Sequence, residues 1–551
     1  MGKRQRTVYK VKHFSTIREM LDMAAAENGN DIAYIYRDKN GDDVSVSFKE
    51  FRDVTENLGA ALCDLGLGKS HIANVSENSY KWICVYLTVL KTAGVYVPID
   101  KELPMQDKTH LIVDSDSEAV FFSAKYEDWM RENMDKMPKV KYFIGLDMDE
   151  DESERVISFK KLLEKGKTLD KKEYDSLKSD PNELKMLVYT SGTTGMSKGV
   201  MLSEHNLCSS VYYGLQVSQI WERGLSVLPY NHTYEAVCDI LVSIHYRTTL
   251  CICASLKDVA KDLKHYKPVY IYVVPAFAEV LYSKVMSTIK KQGKEGTVKF
   301  GIKLTRALRK LGIDKRKKIF AQIHENFGGN LRKIVCGGAP IRPEIGQFFD
   351  DIGIALIGGY GITECSPLVS VNDESFLSYD TVGFRLPCLE WKIDKPNDEG
   401  IGEICVKGDV VMLGYYNNPE QTAQVLKDGW FSTGDYGYIT KDDQLVITGR
   451  KKNLIVLNNG KNIYPEEIEK RIGNIEYITE VVVRSLKNSR GEEYSLMAEI
   501  YIEDEENTYD EDNVLNDIQA QLADLPDYKN VTKVVMRKEP FEKTTTRKIK
   551  R

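Results

Sequence analysis

At 551 residues the chain is too long for one ordinary domain and divides, on typical sizes, into about three or four compact units with room for a large buried core. Its composition, 42% hydrophobic and 29% charged with 39 Gly and 16 Pro, excludes a collagenous, low-complexity or disordered chain. The formal net charge of -6 is ordinary and points to no nucleic-acid partner.

The N-terminal stretch Met1 to Lys12 is basic and polar, without the apolar centre of a secretory signal. Position 6 is Arg, not the Ser or Thr that a myristoylation site needs after Gly2. The most apolar stretch, Trp82 to Val97, is broken by Lys91 and is shorter than the roughly 20 apolar residues that cross a bilayer, so no span is predicted. Ten cysteines lack zinc-type spacing, and Cys251 and Cys253 alternate in an apolar run as small hydrophobes, which fits a reducing, cytoplasmic setting.

Short runs rich in Val, Ile and Tyr alternate with longer amphipathic stretches, which predicts an α/β fold of mostly parallel sheets covered by helices. Met186 to Thr190, Val269 to Pro275, Lys333 to Cys336 and Ala355 to Ile357 each lead into Gly-, Ser- or Pro-containing segments. In open α/β sheets ligands gather beyond the carboxyl ends of strands, so these segments are candidate site loops. The last hundred residues read as a small α+β unit: a helix from Pro465, strands Val481 to Arg484 and Tyr494 to Ile502, a polar helix, then Thr532 to Met536. The expected division is a large unit, 1–450, and a small one, 451–551, with the boundary at Gly449-Arg450-Lys451-Lys452.

Asp147 to Glu154 and Glu503 to Asp512 are acidic and read as solvated loops. Residues 284–318 hold thirteen Lys or Arg against only Glu295 and Asp314. A solvated helical face is the commoner meaning of such a run, and peripheral contact with an anionic membrane surface is the alternative.

The strongest local signal is Tyr189-Thr190-Ser191-Gly192-Thr193-Thr194-Gly195-Met196-Ser197-Lys198-Gly199, directly after a strand. Glycines let backbone approach phosphate oxygens, hydroxyls donate to them, and Lys198 supplies charge. The spacing is not that of a P-loop, whose glycines have four residues between them and whose Lys precedes Ser or Thr. Further along come Gly337-Gly338-Ala339-Pro340 after a strand, and Gly359-Tyr360-Gly361-Ile362-Thr363-Glu364. Then follow Ser432-Thr433-Gly434-Asp435, and Gly449-Arg450 with its Arg fifteen residues beyond the Asp. A Tyr can lie flat on adenine, a Thr hydroxyl can reach a phosphate, and a carboxylate suits Mg²⁺ or a ribose diol.

In this order the motifs resemble those of the acyl-adenylate-forming superfamily of acyl-CoA synthetases, peptide-synthetase adenylation domains and luciferases. The resemblance spans nearly the whole chain and is densest from Tyr189 to Tyr464. It implies that Thr190, Ser191, Gly192, Thr193, Thr194, Gly195 and Lys198 cradle the phosphates of ATP. Gly338, Ala339, Pro340, Gly359, Tyr360, Gly361 and Thr363 would then line the nucleotide site, and Asp435 and Arg450 would clamp the ribose. Glu364, with Thr190, would hold Mg²⁺. Lys548 aligns with the family's mobile catalytic lysine, acting with Thr363 and Glu364, although Arg547 stands where the family more often has Gly. Lys452 would be the hinge of a mobile lid, with Gly460 and Lys461 on the CoA side.

Leu228-Pro229-Tyr230-Asn231-His232-Thr233-Tyr234-Glu235 is similar to the long-chain fatty acyl-CoA synthetase branch, which places His232, Tyr234 and Gly337 at an acyl pocket. The implied activity is AMP-forming ligation of a long-chain fatty acid to CoA, with ATP and CoA as co-substrates and Mg²⁺ as cofactor. Loading of an acyl carrier protein, or an ATP-binding regulatory protein without catalysis, remain the alternatives. A homodimer is a further open expectation.

Overall fold

The computed structural model describes residues 6–190, 197–253, 255–503, 509–543 and 549–551. Two large sheets with parallel centres carry the first four hundred residues, so the α/β expectation is met. The nine-stranded sheet has six parallel strands at its heart: Ile32–Arg37, Thr249–Ile252, Arg223–Ser226, Tyr270–Val273, Lys333–Cys336 and Ala355–Gly361 in spatial order. Antiparallel strands close both its edges. The eight-stranded sheet also has a parallel centre but is closed by antiparallel strands at one edge only, where the antiparallel pair Leu184–Thr190 and Lys198–Ser203 brackets the expected phosphate loop. Helices cover both faces of a parallel sheet, so its strands read as unbroken apolar runs. Val95–Pro98, Ala119–Phe122 and Tyr270–Val273 are buried throughout.

The helix Tyr80–Lys91 shows how the apolar stretch around residue 82 is used. Ser79 caps its start by accepting from the Trp82 amide, and every residue from Trp82 to Lys91 is buried. The Trp82 ring meets Tyr96 and Tyr230 edge-on and leans on Tyr86, an arrangement aromatic quadrupoles favour. Lys91, the residue that interrupts the run, turns its ammonium inward to donate to Thr55 Oγ1 at 3.2 Å, with Asp22 at 3.9 Å. Burial pulls that ammonium down to about 8. Among the described residues no helix is long and apolar enough to cross a membrane, and all ten cysteines are free thiols.

Leu184–Thr190, Tyr270–Val273 and Lys333–Cys336 end within the runs expected of them, but the fourth strand runs further than its pattern suggests. Ala355–Gly361 carries the glycine-tyrosine motif on the strand itself and pairs with Leu368–Val371. The missing side chains permit this: a Cβ on Gly361 would stand 2.3 Å from the Pro367 carbonyl oxygen, and one on Gly359 3.3 Å from that of Ser370.

A five-stranded antiparallel sheet follows, in which Trp430–Ile439 pairs with Leu445–Arg450 and sets Asp435 opposite Arg450. After the turn Lys451–Asn453 the chain forms a three-stranded sheet with the helices Pro465–Ile472 and Glu511–Gln521. This last part has a core of its own, running from Ile455 to Val534.

Replacing Trp82 by Ala removes a large ring from a packed cluster and should cost about 3–5 kcal/mol. Urea unfolding monitored by circular dichroism measures that loss.

Candidate active site

Beyond the carboxyl ends of the nine-stranded sheet lies a cavity with ≈ 690 Å³ of free space, its mouth included. Its wall brings together residues from five separate parts of the chain, among them Tyr234, Tyr272, Val335, Gly337, Tyr360 and Leu368. Expected acyl-side residues (Tyr234, Gly337) and expected nucleotide-side residues (Gly338, Gly359, Tyr360, Gly361) therefore share one space. Tyr234 is fixed by donating its hydroxyl to the Val335 carbonyl at 3.0 Å. Gly337 is needed against it, because a Cβ there would sit 3.1 Å from the tyrosine ring. Gly338 follows at φ +92°, a backbone shape that side chains rarely adopt. Ala339 and Pro340 continue the turn on the exposed rim.

Tyr234 sits in the one-turn helix Thr233–Glu235, which His232 precedes as a half-buried N-cap. The chain then winds through a π-helical stretch, Ala236–Leu241, whose Cys238 contributes to the cavity wall. On the other side of this stretch Glu235 and Asp239 are fully buried one turn apart, and Ser226 donates to Glu235. Burial pushes both carboxyls up, and the Asp239 charge pushes Glu235 further, so Glu235 is the one that keeps its proton behind the apolar cavity. Neither Glu235, at the end of a motif otherwise read for its His and Tyr, nor Asp239 beyond it gave a sign of this; only the packing shows it.

At the mouth a chain of contacts joins three motifs. Tyr360 donates to Asp435 Oδ2 at 2.6 Å, and Arg450 Nε stands 3.0 Å from Asp435 Oδ1. Asp435 is nearly inaccessible while Arg450 is half exposed, so the carboxylate is held from beneath by the phenol and from outside by the guanidinium. Burial, reinforced by the neighbouring carboxylate, pushes the Tyr360 phenol well up and keeps it a donor.

Thr363 and Glu364 form the turn Thr363–Cys365 just past the same strand. Tyr415, which no motif singled out, donates to Glu364 Oε1 at 3.0 Å, and the Lys198 ammonium lies 5.1 Å from the centre of the Tyr415 ring. Tyr415 thus touches both Lys198 and Glu364. Thr190 ends its strand opposite Lys198. Ser191, Gly192, Thr193, Thr194 and Gly195 lie outside the described residues. The flanking tyrosines are tied down, Tyr189 to Asp114 and Tyr416 to Asp116. No group of three metal-binding side chains occurs among the described residues. A single carboxylate beside a phosphate site fits Mg²⁺, which keeps most of its shell as water and phosphate oxygen.

Lys452 is exposed in the turn after Arg450, with the chain's last residue, Arg551, among the charges that act on it. Arg551 is ion-paired with Glu469, whose carboxyl burial pushes up to about 7. Gly460 caps an exposed hairpin at φ +79°, and the Lys461 ammonium stands 5.5 Å from the Tyr528 ring centre. Arg547 and Lys548 lie outside the described residues. Lys543 and Ile549 on either side of them pair with each other, and Lys543 is also ion-paired with Glu480.

Residues 21–416 match the family model described as AMP-binding enzyme. The chain belongs to the AMP-binding enzymes. A long-chain-fatty-acid CoA ligase of Mycobacterium bovis is 27% identical over 433 residues, 74% of this chain and 70% of that protein. Long-chain-fatty-acid CoA ligase 5 of Rattus norvegicus is 28% identical over 492 residues, 84% of this chain and 72% of that one. Among solved structures, a Mycobacterium tuberculosis fatty acyl CoA synthetase superposes with a TM-score of 0.68 at 22% identity, over 97% of this chain and 96% of that one, a likeness of fold.

In this AMP-binding enzyme Asp435→Asn keeps size but removes the charge that Arg450 and Tyr360 address. A hydrogen bond to a charged group is worth about 1.5–3 kcal/mol, so ATP binding should weaken about 10- to 100-fold by titration calorimetry.

Proposed function

We propose that the chain is an AMP-forming ligase that activates a long-chain fatty acid with ATP and transfers it to CoA. The observation that carries this reading is the shared cavity: an apolar space walled by Tyr234, Tyr272 and Val335 opens beside the Tyr360–Asp435–Arg450 chain. An acid lying in the first with its carboxylate at the mouth meets a nucleotide held by the second. The family match and the relatives' activity support it.

In the first step a carboxylate oxygen attacks the α-phosphorus of ATP, and the bond to pyrophosphate breaks with its electron pair leaving on pyrophosphate. Asp435 and Arg450 orient the ribose, Tyr360 and the glycines of its strand position the adenine, and Lys198 holds the β- and γ-phosphates. Thr363 donates to the α-phosphate. When bound by Glu364 and Thr190, Mg²⁺ supplies positive charge against the departing pyrophosphate. Lys548 bridges carboxylate and α-phosphate, offsetting negative charge as it concentrates. In the second step the CoA sulfur attacks the acyl carbon and AMP leaves. For this Lys548 must withdraw, and we assign the movement to residues 451–551, turning at Lys452 and bringing Gly460 and Lys461 to the pantetheine side.

AMP release across acids of graded length, with and without CoA, tests the whole reading; ADP, or no nucleotide product, overturns it. An acyl carrier protein replacing CoA as the better acceptor would correct the second step alone. Lys548→Ala should lose roughly 10²- to 10³-fold in pyrophosphate release with little change in unfolding. Lys452→Pro should keep that release and lose thioester formation, because proline forbids the torsion the swing needs.

A further inference from the structure

The cavity is walled mostly by apolar side chains, but its inner end is not apolar. One wall is the helix Glu204–Val217 with its C-cap Ser218. Ser210, Gly214 and Ser218 line the cavity from one face of it, and eight residues at roughly 1.5 Å each make that face about 12 Å long. Another wall includes Val335 of the strand Lys333–Cys336. Side chains alternate along a strand, so Lys333, two residues before Val335, points to the same face. The mouth lies beyond the carboxyl ends of the strands and Lys333 begins its own, which sets it under the inner end.

Lys333 is wholly buried. Its ammonium donates to the Ser218 hydroxyl at 2.8 Å and to the Gln219 carbonyl at 2.6 Å, and it is ion-paired with Glu374. Burial pulls this ammonium down while Glu374 holds it up, so a neutralised pair stands under the floor. An ammonium has three hydrogens, and these contacts use them all. What it does is fix Ser218: the serine oxygen accepts from it, and the serine's own hydrogen has no acceptor among the described residues. Ser210, 2% exposed, has no hydrogen-bond partner for its hydroxyl among the described residues. A helical serine commonly returns its hydroxyl to the carbonyl one turn back, and Ser210 does not. Buried polar groups are nearly always paired, so two idle donors on the wall of one cavity point to acceptors brought by the ligand.

We propose that the acids this cavity selects carry a neutral oxygen function, a hydroxyl or an oxo group, on the chain. At the end of the chain it accepts from Ser218, and part-way along it accepts from Ser210. A second carboxylate does not suit the site, because Glu374 already balances Lys333 and an added charge would be buried unpaired. The inference rests on the acyl reading of the cavity and narrows its substrate class.

The test is titration calorimetry of the full chain with acids of one length, methyl-ended, hydroxylated at the end, hydroxylated in mid-chain and dicarboxylic, with AMP release measured alongside. Each hydroxylated acid should bind about tenfold tighter than the methyl-ended one. Ser218→Ala should bring that ratio to about one for the terminal hydroxyl. Ser210→Ala, which breaks no hydrogen bond among the described residues, should do so for the mid-chain hydroxyl alone. Tighter binding of the hydroxylated acids without AMP release upholds the inference and fails the ligase reading. AMP release with the methyl-ended acid bound as tightly as the others overturns the inference, leaves the ligase reading standing and gives the idle donors to water. Tightest binding of the dicarboxylic acid, ratios that neither variant changes, or no binding of any acid also overturns it.

Discussion

The 2.6 Å hydrogen bond from Tyr360 to Asp435 ties the cavity wall to the antiparallel sheet that follows it. Its partners are 75 positions apart, one on a parallel strand of the large sheet and one in the five-stranded sheet. Through Arg450 the same carboxylate reaches the last residue before the turn Lys451–Asn453, so a single buried acid links the cavity, the sheet beside it and the start of the C-terminal part. A buried carboxylate is costly unless satisfied, and a phenol beneath with a guanidinium outside satisfies it without a metal or further charge.

The cavity itself depends on absent side chains. Gly337 makes room for the Tyr234 ring, and Gly359 and Gly361 bring their strand against Leu368–Val371. Behind the wall, burial and the neighbouring Asp239 charge push the Glu235 carboxyl well up, so the buried pair shares a proton rather than carrying two charges. The charged side chains form two groups, Lys198 and Glu364 on Tyr415, and Asp435 with Arg450 on Tyr360. On the proposed reading this division suits a substrate with a long apolar tail and a reacting carboxylate.

The glycine, tyrosine and carboxylate motifs were legible because each is local: a turn, a strand end and the residues beside it. Asp435 and Arg450 were paired through the family resemblance, and the register of their hairpin places them opposite each other. Tyr415 was not legible, since a Gly-Tyr-Tyr run has no pattern of its own; it matters only because Lys198 and Glu364 converge on it. The basic run was legible as charge, but its Arg and Lys look alike in a sequence. Which of its arginines are ion-paired depends on where Asp350 and Asp351 lie.

What the amino-acid order determined alone was the alternation of apolar strands with amphipathic helices, the motifs and their sequence along the chain, and so the family and its chemistry. The tertiary structure decided which of those motifs share a space, which acids lose their charge and which apolar side chains remain in the open. The physical reason is range: hydrogen-bonding patterns and backbone preferences act over a few residues, whereas burial, close approach and electrostatic pairing arise only when distant segments meet.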